Sequence, residues 1–118
     1  MRHRRKRADF NRENDHRKLM IRNLVTSLLL HGKIETTARR ASVLAQHVEP
    51  MIQKALTKDK MNAIRYVNAR VFSKEASIRL FDEIVPKLQG KNGGYTRTVK
   101  LGNRAGDNAS KVLIEFAY

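Results

Sequence analysis

The sequence predicts an α+β fold, a two-layer α/β sandwich with helices packed on one face of a small sheet, preceded by a basic N-terminal arm. Three observations predict it: apolar residues at helical spacing through the first three quarters of the chain, strict alternation after Gly90, and a run of unpaired cations before the first apolar face. The expected order is arm, helix, strand, three helices and two strands. At 118 residues the chain has room for one domain and one modest core. Residues 1–13 are expected to form the arm and 14–118 a single α/β domain.

The arm comes first. Residues 1–22 carry nine Lys or Arg against three acids. Arg2, Arg4, Arg5, Lys6 and Arg7 repel one another in any compact arrangement, so the first ten or so residues are expected to lack structure in the free chain. Met1 is read as the native start, since no apolar segment or cleavage pattern follows these charges as it would in a signal peptide.

From Asn14, an expected N-cap, apolar positions at Met20, Ile21, Leu24, Val25 and Leu28 define one helix face, and Gly32 supplies a C-cap. Arg17, Lys18 and Arg22 fall near the helix N-terminus, where the dipole disfavours cations; their presence points to a demand from outside the helix. Ile34-Glu35-Thr36-Thr37 is β-prone. Thr37 then caps a second helix repeating at Ala41, Leu44, Ala45, Val48 and Ile52. Pro50 lies inside that repeat, so a kink near Gln46 or a restart at Glu49 is expected. Asp59 caps a third helix burying Ala63, Ile64, Val67 and Val71. Ser73 caps a fourth, burying Ser77, Leu80, Phe81, Ile84 and Val85 before Pro86. Tyr95, Arg97, Val99 and Leu101 then alternate with Thr96, Thr98 and Lys100, and Val112, Ile114 and Phe116 with Lys111, Leu113 and Glu115, which is the period of strands.

Charge narrows the function. Twenty-five Lys and Arg against 11 Asp and Glu leave a formal net charge of +14. That exceeds what solubility asks and opposes compaction, so a polyanionic partner is indicated. The apolar run Leu28 to Leu30 is far too short to span a bilayer, which sets membrane partners aside. The chain has no cysteine, which excludes disulfides and thiolate metal sites and fits a reducing compartment without proving one. His3, His16, His31 and His47 are scattered and no metal-ligand spacing occurs. Glu49, Asp82 and Glu83 suit helix-face and cap roles better than a nuclease site. No catalytic residue, metal, cofactor or small-molecule substrate is therefore expected.

Nucleic acid is the remaining polyanion. Clustered Arg and Lys neutralise phosphates and release counterions without reading sequence, and the excess of Arg in the arm suits bidentate phosphate contacts and stacking on splayed bases of folded RNA. A DNA reader with a minor-groove arm is the competing interpretation. Against it, Asn62 to Phe72 presents no polar helix face free of apolar demand, and cations extend along the whole chain. Two further segments suit a phosphate or base: Lys91-Asn92-Gly93-Gly94-Tyr95-Thr96-Arg97, and Gly102-Asn103-Arg104-Ala105-Gly106-Asp107-Asn108-Ala109. Each has a plainer reading, the first as a glycine turn with Tyr95 in the core and the second as a hairpin loop.

Taken in order, Met1-Arg2-His3-Arg4, His16-Arg17 with Met20 and Arg22-Asn23, Ile34-Glu35-Thr36-Thr37, Glu49-Pro50-Met51-Ile52, Leu80-Phe81 with Pro86, Gly93-Gly94-Tyr95-Thr96-Arg97 and Arg104-Ala105-Gly106-Asp107-Asn108-Ala109 resemble the family of bacterial-type large-subunit ribosomal protein seventeen. The resemblance covers nearly the whole chain. It implies a non-enzymatic role in building the large ribosomal subunit in the cytoplasm, contact with large-subunit ribosomal RNA near the exit side of the peptide tunnel, neighbouring ribosomal proteins as partners, and no homo-oligomer. It also implies RNA contacts at Arg2, His3, Arg4, Asn11, Arg12, His16, Arg17 and Arg22, joined by Tyr95, Arg97, Arg104 and Asn108. Arg5, Lys6, Arg7, Lys18 and Lys100 are added to that set by charge and position. The sequence departs from the family pattern in the strongly basic stretch after Arg4, in Thr98 where an apolar branched residue is expected, and in ending at Tyr118 with no acidic tail.

Overall fold

The computed structural model describes residues 9–118; Arg2, His3, Arg4, Arg5, Lys6 and Arg7, and with them most of the expected arm, lie outside the described residues. Phe10 and Asn11 both take left-handed backbone angles and the Arg12 N–H donates to the Asp9 carbonyl at 3.1 Å, closing a turn that packs the Phe10 ring against the core. The helix α1 (Asn14–His31) follows. Its N-cap is Glu13 rather than Asn14, whose Oδ1 instead accepts from Arg17 Nη2 at 2.9 Å. At the other end Gly32, at φ 79°, places its N–H 2.8 Å from the Leu28 carbonyl, as a left-handed C-cap requires.

Strand β1 (Lys33–Thr37) leads directly into α2 (Ala38–Thr57). The helix runs unbroken through Pro50, so the restart at Glu49 does not occur. Val48, Met51 and Ile52 around the proline are fully buried, and their packing outweighs the single backbone bond that proline removes. The helix α3 (Lys60–Asn68) buries Ala63 and Val67 as expected. Val71 is also buried, but it follows the helix end.

The last helix differs from expectation. α4 (Lys74–Arg79) passes through a π-helical turn at Leu80–Ile84 into α5 (Val85–Leu88), so it continues past Pro86 instead of ending before it. The Val85 N–H donates to the Leu80 carbonyl five residues back. That wider turn gives the proline ring room beside the preceding turn, where a regular α-turn would set it against a carbonyl. Continuing the helix buries Leu88 completely.

Strands β2 (Thr96–Asn103) and β3 (Ser110–Phe116) form an antiparallel hairpin, and β1 pairs antiparallel with the other side of β3, giving the order β1-β3-β2. Val112, Ile114 and Phe116 are buried towards the helices while Lys111, Leu113 and Glu115 alternate on the opposite face. α2 is the central element, touching α1, α3 and all three strands. It bonds to β2 at Thr96, whose N–H and hydroxyl both meet Glu49 Oε1, the hydroxyl at 3.0 Å. Beyond that point β2 is exposed. Thr98 therefore fits its position: it pairs with Ile114 but stays exposed, lining an open groove beside α2. A bulge between Lys100 and Gly102, with Gly102 at φ 94°, turns the strand end away.

Candidate nucleic-acid interface

The buried stripe of α1 runs through Ile21, Val25, Leu28 and Leu29, and one turn before Ile21 it meets Arg17. Helical geometry puts residues four apart on one face, so Arg17 inherits a core-facing position and is only 8% exposed. Beside it stand Lys18 and Arg22. These three, with Ile21 and Val25, form one wall of a cavity of about 460 Å³. His47 and Met51, one turn apart on α2, form the second wall, and Ala69 and Arg70, just after α3, the third. Among the described residues no carboxylate lines it.

Each arginine is partly tied down. Arg22 Nη2 donates to the Val71 carbonyl at 2.9 Å, and its guanidinium lies 4.1 Å from the centre of the Phe72 ring. Thr26 fixes this corner by donating to the Arg22 carbonyl at 2.8 Å and accepting from the Phe72 N–H at 3.1 Å. Arg70 stacks 3.5 Å from the centre of Tyr66 and donates to the Tyr66 carbonyl at 3.1 Å; Lys54 Nζ lies 3.7 Å from the same ring centre. The Nε atoms of Arg17 and Arg22, by contrast, are buried with no acceptor. An unmet donor of this kind costs about 1–3 kcal/mol, more when charged, so both groups gain when an acceptor enters. Burial lowers the pKa of His47 below its ordinary 6.5, and the nearby charges of Arg17 and Arg70 lower it further.

Of the residues proposed from sequence, the structure brings Arg17, Lys18 and Arg22 together at this cavity. His16 is exposed on the first turn of α1, and Asn11 and Arg12 lie in the preceding turn, where Arg12 Nη1 donates to the Phe10 carbonyl at 3.2 Å. The C-terminal residues lie elsewhere. Arg97 and Lys100 line a groove of about 530 Å³ between α2 and β2, where Glu49 also stands. Arg97 Nε is paired with Glu115 at 2.6 Å.

Tyr95 takes the plainer of its two readings. It is 2% exposed, its hydroxyl bonds to Gln53 Oε1 and reaches the Lys91 carbonyl at 3.3 Å, and its carbonyl accepts from the Ala117 N–H at 2.8 Å. The ring is thus packed inside and offers no face for stacking on a base. Its preceding Gly94, at φ 62°, turns the chain into β2. Arg104 and Asn108 stand in the exposed hairpin loop, where Arg104 Nε donates to Asp107 Oδ1 at 3.1 Å and Asn108 adopts φ 56°. The Arg104 N–H meets the Ala109 carbonyl at 2.8 Å and the Asn108 N–H meets the Arg104 carbonyl at 3.0 Å, so the loop is cross-braced.

His47 and Arg70 were not legible as site residues. His47 carried one weak signal, its position four residues before Met51 on the rim of the α2 stripe; Arg70 had none, because only the turn after α3 brings it to α1. Glu49 is engaged with Thr96, and Glu83 pairs with Arg79 at 3.0 Å. Among the described residues no group of His, Cys, Asp and Glu is arranged to hold a metal ion, and no helix is long and apolar enough to cross a membrane.

Comparison with known proteins gives one family. The family model described as ribosomal protein L17 matches residues 20–117. The large ribosomal subunit protein bL17 of Moorella thermoacetica is 50% identical over 100 residues, covering 85% of this chain and 88% of the relative. That of Clostridium perfringens strain SM101 is 50% identical over 104 residues, covering 88% and 91%.

Proposed function

The chain belongs to the ribosomal protein L17 family, and from that premise we propose that it binds folded large-subunit ribosomal RNA near the exit side of the peptide tunnel and supports subunit assembly. Its family makes it a structural component of the large subunit and not an enzyme, working in the ribosome in the cytoplasm. The observation that carries the RNA reading is the cavity beside α1, where Arg17, Lys18, Arg22, His47 and Arg70 converge with no carboxylate among them. Like charges gathered without counter-charge destabilise a free chain and are relieved by a polyanion. Arginine stacked on aromatic rings, as at Phe72 and Tyr66, is held in a fixed plane suited to phosphate.

Around that centre the arm cations Arg2, Arg4, Arg5, Lys6 and Arg7, with His3, extend the phosphate contacts from the N-terminal side, and Asn11, Arg12 and His16 continue them towards α1. Arg97, Lys100, Arg104 and Asn108 supply a second contact on the hairpin. The exit-side position and the neighbouring large-subunit proteins as partners follow from the family resemblance, as does a single copy with no self-association. The test is the salt dependence of binding to folded large-subunit ribosomal RNA. Each phosphate contact contributes about 0.9 to the slope of log affinity against log salt on double-helical segments and less on single strands. Lys18→Gln with Arg70→Gln is expected to lower the slope by up to about two, and Arg4→Gln with Arg5→Gln by a similar amount. A slope unchanged in both double variants removes cavity and arm from the interface.

A further inference from the structure

We propose that the cavity between α1, α2 and the turn after α3 seats one RNA phosphodiester, held by Arg17, Arg22 and Arg70, with His47 taking up a proton as the phosphate arrives. The proposal rests on the RNA reading above and assigns a particular ligand and a pH response to its central site.

Four features point to one seated phosphate rather than general charge attraction. Arg17 and Arg22 from α1, Arg70 from the turn after α3 and His47 from α2 converge on one space, which suits an anion that accepts hydrogen bonds from several directions. Arg17 is nine-tenths buried, and its Nε and that of Arg22 are the two buried side-chain polar atoms left without partners among the described residues. Both residues line the cavity, so an anion seated there offers these donors the acceptor they lack. The floor is apolar, made by Ile21, Val25 and Met51, and a weakly polarisable floor strengthens each charge-assisted bond above it. Lys18 and Arg70 are exposed at the rim, where a phosphate still attached to its RNA strand can enter.

His47 supplies the pH response. Facing it are Arg17, Lys18 and Arg22 from α1 and Arg70 from the turn after α3, all cationic; the nearest acid along its own helix, Glu49, is bonded to Thr96. Burial and the charges of Arg17 and Arg70 hold the imidazole below its ordinary 6.5 and so keep it neutral near pH 7 in the free chain. A bound phosphodiester adds a negative charge that offsets those arginines and favours the imidazolium. By linkage, a site that raises the His47 pKa must bind its anion more tightly as pH falls. A rise of about one unit corresponds to roughly tenfold tighter binding at the acid end of the range.

The test uses the full chain, with its histidine and arginine side chains followed by NMR while dimethyl phosphate is added against sodium chloride at equal ionic strength. Dimethyl phosphate keeps a single negative charge across the titration of His47, so every pH effect belongs to the protein. The expected result is a His47 midpoint that rises on addition of dimethyl phosphate and Nε–H signals of Arg17 and Arg22 that shift with the same saturation curve. His47→Gln should abolish the pH dependence of the arginine shifts. Unchanged His47 and Nε–H signals overturn the proposal. Binding to folded ribosomal RNA, measured in parallel, separates the two failures: RNA binding retained with silent cavity signals sinks the phosphate site alone, while cavity signals that respond without any preference for folded RNA sink the broader reading and leave the site.

Discussion

Arg17 occupies a position that helix periodicity reserves for an apolar side chain, and its Nε has no acceptor there. Its substitution should therefore separate stability from binding. Arg17→Met keeps the length of the side chain and removes the unpaired donor, so the free chain should unfold at equal or higher urea concentration, by up to about 1–3 kcal/mol. The same variant should bind folded ribosomal RNA more weakly. A loss of stability together with unchanged RNA binding would make Arg17 a structural residue only. Asp107 offers a second residue-scale test. The Arg104 side chain, and then the Ala109 N–H, hold its carboxyl at about 2. A folded value below the ordinary 3.8 means that its contribution is complete above that value and is lost as pH falls towards about 2. Amide protection at Asn108 and Ala109 should accordingly be flat near neutral pH and fall in acid, whereas Asp107→Asn should show the reduced protection throughout. At this scale the sequence was readable where a residue's role is local, as for the hairpin loop. Tyr95 was open between base contact and core because its partner Gln53 lies on another element.

Among the elements, the face and the C-terminal end of α1 were legible because its stripe and its terminating glycine are both local signals, while its N-cap is Glu13 and not the expected Asn14. Gly32 has nothing within 4 Å of where a Cβ would stand, so Gly32→Ala costs only the left-handed backbone, about 1 kcal/mol in urea unfolding, with no added clash. A cost several times larger would mean that the turn into β1 carries packing not seen here. The prolines were harder to read. Local propensity places a stop at Pro86, yet the π-turn at Leu80–Ile84 and the burial of Leu88 carry the helix onward. Such a turn depends on tertiary packing that a single sequence does not display. Alternation identified β2 as a strand but not that α2 leaves it uncovered. Val99 and Leu101, 44% and 41% exposed, read like core residues. Val99→Thr should change stability by less than about 0.5 kcal/mol, while Ile114→Ala on the covered strand should cost about 2–5 kcal/mol. Similar losses at the two sites would mean that the outer strand is covered after all.

For the whole molecule, a net charge of +14 and a single small core are opposing demands, met by keeping the apolar stripes of the helices and one face of the sheet together while cations collect at the surface and around one cavity. The charge pointed to a polyanionic partner, and the order of individually weak motifs told the family. The cavity itself was not legible, because residues 17 to 70 meet there only through the packing of α1 on α2 and the turn that follows α3. The most direct test of the central claim is competition at fixed, near-physiological salt between folded large-subunit ribosomal RNA, duplex DNA and unfolded RNA for the purified chain. Strong preference for the folded ribosomal RNA is the predicted result, since shaped phosphate sites require a shaped partner. Equal binding to all three would reduce the interaction to net charge, and preference for a DNA sequence would contradict the account.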